Sequence, residues 1–208
     1  MANELERRCT AVEVRAETDG EIKRLEGYPV VFGELSEDLG GFREIIEETA
    51  FVEALRAGQD VRALFNHDPN QVLGRTTNST LALSQDMRGL RMSVLLPDTG
   101  YAQDVYKLVQ RGDVNQMSFA FRVKKGGESW ATENGIRVRR VQRADLFDVS
   151  VVTYPAYQAT TVAARTLEAA RNESDGQEAG EIEQRDGDGR AAVVGVLREQ
   201  IDILRRKL

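Results

Sequence analysis

The sequence predicts an α+β or closed-barrel domain rather than a doubly wound one. Three observations point there. Short segments of period-2 alternation recur between residues 10 and 153, separated by turn residues. Only two or three stretches carry a helical period. Strands and helices do not alternate as a parallel βαβ fold requires.

The elements follow in chain order. Thr10 to Arg15 alternates as a first strand. Ile22 to Phe32 follows the turn at Thr18-Asp19-Gly20-Glu21. Residues 33–48 read as an irregular loop with a short strand at Phe42 to Ile46. Thr49 is placed to cap a helix over Ala50 to Arg56, which Gly58 ends. Asp60 to Phe65 reads as a short buried strand that delivers Asn66-His67-Asp68-Pro69. Leu73 to Arg75, Leu81 to Leu83 and Leu90 to Leu96 continue the β pattern. Thr99-Gly100 introduces a helix over Tyr101 to Gln110, with Val105, Leu108 and Val109 as its apolar stripe and Gly112 as its stop.

Asn115 to Val123 is the next strand. Ile136 to Asp148, continued to Thr153, supplies the rest, and the polar segment Lys124 to Gly135 is the loop between them. Tyr154-Pro155-Ala156-Tyr157 breaks the sheet, and Ala159 to Arg171 reads as a closing helix. Residues 172–190 hold seven acids, four glycines and no aromatic residue, the composition of a disordered linker. Val194, Leu197, Ile201, Leu204 and Leu208 then form a two-heptad stripe, too short to be a stable helix alone. The expected organisation is a flexible N-terminus over 1–9, a domain over 10–171, the acidic linker over 172–190 and a short amphipathic helix over 191–208.

Composition removes several function classes. Hydrophobic residues are 41% and charged residues 30% of the 208, a globular balance. The net charge of −6 gives no general attraction to phosphates, which disfavours nucleic-acid binding. No apolar run suits a membrane span, and the charged start of the chain does not read as a secretory signal. One cysteine, Cys9, cannot form an internal disulfide, which fits a reducing cytoplasm. With that one cysteine and one histidine, His67, a Cys/His zinc site is hard to build. Gly40-Gly41 and Gly126-Gly127 match no nucleotide-binding loop. No cofactor and no metal is expected.

Three residues could carry chemistry. Period 2 puts Met117, Phe119, Phe121 and Val123 on one face of a strand and Ser118, Ala120 and Arg122 on the other. On pattern alone Ser118 is either the polar side of that strand or a nucleophile with room beside Ala120. In the strand ending at Thr153, Phe147, Val149 and Val151 share one face, while Leu146, Asp148, Ser150 and Val152 share the other. A carboxylate there is costly to bury without a partner. Asp148 either orients His67 or makes a structural pair with Arg139 or Arg140. His67 is either a loop histidine satisfied by a carbonyl or a base, with Asp68 as an alternative partner. A serine hydroxyl needs such a base, and a separation of 51 residues is compatible with two strands meeting.

Five segments, in order, go further: Gly27 to Phe32, Ala63 to Pro69, Val72 to Thr76, Gly112 to Phe121 and Asp148 to Tyr157. Together they closely resemble the prohead (head-maturation) serine proteases of tailed phages, a family distantly similar to the herpesvirus assemblins. The resemblance implies a mainly antiparallel β-barrel core with a few surrounding helices. It implies Ser118 as nucleophile and His67 as base. Assemblins use a second histidine, which this chain lacks; the phage family carries an acid at the place of Asp148, which is nominated instead. By likeness to the assemblins, Arg139 or Arg140 would hold an oxyanion-stabilising water, with Arg122 a weaker candidate.

The same resemblance implies an endopeptidase that cleaves the scaffolding segment of the major capsid protein, or a separate scaffold, and then itself. It would act in the host cytoplasm inside the assembling procapsid, as a homo-oligomer, with neither nucleic acid nor membrane as partner. The competing reading is a non-catalytic capsid-assembly or scaffold protein on the same fold. A small-molecule serine esterase ranks last, because Ser118 has no GxSxG elbow around it.

Overall fold

The computed structural model describes residues 4–10 and 14–154. The expected closing helix, acidic linker and amphipathic tail lie outside them. Among the described residues, twelve strands form three sheets.

The first sheet has five strands in the order β1-β9-β12-β5-β6. These are β1 (Glu6–Thr10), β5 (Arg62–Phe65), β6 (Asp68–Arg75), β9 (Gln116–Val123) and β12 (Ala144–Val152). β12 runs parallel to β5, and the other pairs are antiparallel. The second sheet is antiparallel and ordered β2-β3-β8-β7, from β2 (Arg15–Asp19), β3 (Ile22–Val31), β7 (Leu81–Gln85) and β8 (Gly89–Leu95). The third contains β4 (Arg43–Ile46), β10 (Glu128–Glu133) and β11 (Ile136–Val141), with β4 parallel to β11. Every sheet ends in edge strands, so the described residues form three sheets and not the closed barrel the resemblance implied.

The first two sheets pack through their apolar alternates. Leu25 and Val30 of β3 and Leu90, Met92 and Val94 of β8 meet Met117, Phe119 and Phe121 of β9 and Val149 and Val151 of β12. Phe51 sets its edge against Phe119 and Phe121 at 6.0 and 6.4 Å. Glycine permits two close approaches. A Cβ on Gly74 would lie 2.4 Å from the Val94 side chain, and one on Gly89 would lie 2.0 Å from the Val30 carbonyl.

Helix α2 (Gly100–Arg111) buries Ala102, Val105, Tyr106 and Val109, spaced for one helical face. Gly112 ends it in the left-handed conformation, as its position in the sequence predicted. Helix α1 is shorter than expected, Val52–Arg56. Thr49 does not cap it; its hydroxyl donates to the Gln142 carbonyl and ties this loop to the β11–β12 corner.

Three further differences have physical reasons. Glu6 to Cys9, expected in a flexible N-terminus, lies in β1, where its charges are bonded within the fold. The segment expected as a loop, Lys124 to Gly135, contains β10, whose polar residues suit an edge strand that pairs only with β11. A bulge between Leu146 and Asp148 shifts the parity of β12. Leu146 therefore joins Val149 and Val151 in the core, and Phe147 turns to the Arg122 guanidinium.

The third sheet is fastened to β1 by charge. Arg139, 2% exposed, donates to Glu6, Glu44 and Glu128 at 2.5–2.9 Å. Arg8 bonds Glu6 and Glu44 as well. Such a cage contributes little net stability while whole but is costly to break, since a lost partner leaves a buried charge. Arg139→Ala is expected to destabilise the fold by about 3–5 kcal/mol, read as a lower urea midpoint.

Burial alone would push the Glu6 carboxyl up. The hydrogen bonds and charge of Arg139, with those of Arg8, outweigh it and hold that carboxyl below its ordinary 4.5. A carboxyl depressed on folding contributes stability that is complete above its unfolded value and lost as pH falls through its folded one. Glu6→Gln is therefore expected to flatten the fall in stability below pH 4.5, measured by denaturation at stepped pH.

Candidate active site

β5 and β6 are joined by two residues, Asn66 and His67, since Phe65 pairs directly with Asp68. Both have positive φ, 54° and 57°. Two central residues of positive φ are what a tight type I′ hairpin turn demands. Asparagine and histidine are both among the non-glycine residues that adopt that conformation most readily. The turn is held against the end of β12. The Asn66 amide donates to the Val151 carbonyl, and the Asn66 side chain accepts from the Thr153 amide and donates to its hydroxyl.

This places the only histidine of the chain over the middle of the five-stranded sheet. His67 Nε2 lies 2.7 Å from Ser118 Oγ on β9. His67 Nδ1 lies 2.6 Å from Asp148 Oδ1 on β12. A carboxylate only accepts, so Nδ1 carries the hydrogen, and in a neutral ring Nε2 is then an acceptor facing the serine hydroxyl. The imidazole is 7% exposed, and Ser118 is completely buried.

Ser118 Oγ is also 2.8 Å from the Arg8 carbonyl on β1. One hydroxyl proton thus has two acceptors, a main-chain oxygen and an imidazole nitrogen, and it serves one at a time.

Of the residues singled out in the sequence, His67, Ser118 and Asp148 are brought together. Asp68 is not His67's partner: it accepts from the Asn70 amide and side chain and from Gln71. Asp148 does not pair with the arginines of β11. All five N–H donors of Arg139 are engaged by Glu6, Glu44 and Glu128. Arg140 is likewise held, by Glu133 and Glu47. Arg122 stacks on Phe147 at 4.8 Å, and its buried Nε has no hydrogen-bond partner.

A fourth side chain, Ser150, reaches this site, and no motif in the sequence marks it. Its hydroxyl donates to Asp148 Oδ1 at 2.8 Å and lies 3.2 Å from His67 Nδ1. Period 2 from Asp148 on one strand face was the signal for it. Two surface clefts, about 430 and 340 Å³, are lined by residues other than these four.

A nucleophile–imidazole–carboxylate chain with these contacts is equipped for acyl transfer. Residues 10–173 match the family of caudovirus prohead serine proteases. The chain belongs to this family. Among solved structures, it is similar to the capsid assembly protease of bacteriophage T4, gp21, at 12% identity and a TM-score of 0.42, covering 72% of this chain and 99% of that one. No curated protein matches it. Membership in a prohead protease family makes this chain a capsid-maturation protease in class.

The turn that carries His67 invites a direct check. Asn66→Ala puts an alanine at φ 54° and removes both side-chain bonds to Thr153. It is expected to cost about 1–2 kcal/mol, read by thermal unfolding. Asn66→Gly keeps the turn and is expected to lose less.

Proposed function

We propose that this family member is a serine endopeptidase of the assembling procapsid. Its substrates are the scaffolding segment of the major capsid protein, or a separate scaffold, and its own chain. The observation that carries the reading is the hydrogen-bonded series Ser118–His67–Asp148, 2.7 and 2.6 Å, in a chain of the prohead protease family.

Ser118 Oγ attacks the scissile carbonyl carbon while its proton passes to His67 Nε2. Asp148 holds the ring in the tautomer that leaves Nε2 open and faces the positive charge that the ring then carries. The tetrahedral intermediate collapses, the C–N bond breaks, and the leaving amine takes the proton from Nε2. Water, deprotonated by the same nitrogen, adds to the acyl carbon; the bond from that carbon to Ser118 Oγ breaks, and Nε2 returns the proton to Ser118. For the first step the serine proton must point to His67 and not to the Arg8 carbonyl. Ser118 is buried, so a substrate carbonyl reaches it only when the covering chain gives way. The oxyanion donors must be groups other than Arg139, whose N–H groups all serve carboxylates.

Co-expression with the cognate capsid protein tests this by intact mass. Wild type is expected to trim the capsid protein and itself, while Ser118→Ala and His67→Ala leave full-length chains. Identical masses in all three, with the capsid protein whole, would make the chain an assembly factor instead. Asp148→Asn is expected to lower kcat by roughly 10⁴-fold, measured on a peptide spanning the cleaved site.

A further inference from the structure

The geometry points to Ser150 as a positioning residue of this site, acting through Asp148. The inference rests on the protease reading above and adds a fourth side chain to it.

Nothing intrinsic fixes the plane of an aspartate carboxylate, because rotation about its terminal bond is broad. Asp148 needs one oxygen aimed at His67 Nδ1. Ser150 stands two residues further along β12, on the same face and completely buried. It is held there from both sides: its Cα is paired with Ser118 on β9 and with Leu64 on β5. Its hydroxyl donates to Asp148 Oδ1, the same oxygen that accepts from His67.

Nδ1 already bears a hydrogen for Asp148, so Ser150 cannot donate to it, and its proton goes to the carboxylate. The Ser150 oxygen, 3.2 Å from Nδ1, then turns a lone pair towards that N–H. When the ring takes the proton of Ser118, both Asp148 Oδ1 and Ser150 Oγ face the new positive charge. The hydroxyl thus fixes the carboxylate before the reaction and adds an acceptor beside the imidazolium during it.

Two readouts test this on the full chain. The first is the rate at which Ser118 is labelled by diisopropyl fluorophosphate, which needs no natural substrate. Ser150→Ala is expected to slow labelling roughly 10–100-fold. In an Asp148→Ala background the same change is expected to alter the rate less than about twofold, because a residue that acts through another adds nothing once that one is gone. Labelling of Ser150→Ala at the wild-type rate, or effects that multiply in the double variant, would overturn the proposal.

The second readout is the imidazole spectrum. The chain has one histidine, so ¹⁵N-histidine labelling reports His67 alone. Ser150→Ala is expected to shift or broaden the Nδ1–H signal, and an unchanged signal would overturn the assignment. If the wild type is not labelled by the fluorophosphate at all, the protease reading falls, and the imidazole spectrum still decides whether Ser150 positions the ring.

Discussion

β12 sits between β9 and β5, hydrogen-bonded to one on each side. His67, Ser118 and the Asp148–Ser150 pair are far apart in the chain, and that double pairing makes them neighbours. The antiparallel ladder sets Ser150 opposite Ser118. The parallel ladder sets Val151 beside Phe65, so the Asn66–His67 turn emerges at the right level to lean back over the sheet. A slip of one residue in either ladder would turn Asp148 and Ser150 to the opposite face. The register is protected because that opposite face is the core: Val149 and Val151 lie among Met117, Phe119 and Phe121.

The bulge at Leu146–Asp148 belongs to the same design. With strict alternation, Leu146 would share the face of Asp148 and lie outside the core. One extra residue lets Leu146 and Val149 both point inward while Asp148 still faces His67. The site therefore obtains its carboxylate without taking apolar contact away from the packing below it.

β1 is held in a different manner. Its inward residues, Glu6 and Arg8, are charged, and a carboxylate–guanidinium cage binds them to β4, β10 and β11. This strand also brings the Arg8 carbonyl to Ser118. Cage and nucleophile thus meet in one residue, Arg8, whose side chain belongs to the cage and whose carbonyl lies beside the serine.

What the sequence determined by itself is largely local. Period 2 assigned the core face of β9, and the Gly112 stop placed the end of α2, because neighbours along the chain settle both. The five ordered segments marked the family, since each carries a turn or strand whose residue types are unusual in combination. The cage, β1 and β10 were not legible: a charged pentapeptide reads as solvated until it is known that Arg139, more than 130 residues later, lies over it. The bulge was hidden because alternation alone cannot say where a strand skips a beat. The partner of His67 stayed open between Asp68 and Asp148 for the same reason. Only the ladders of β12, which join residues 21 to 36 apart with β9 and 86 apart with β5, could decide it.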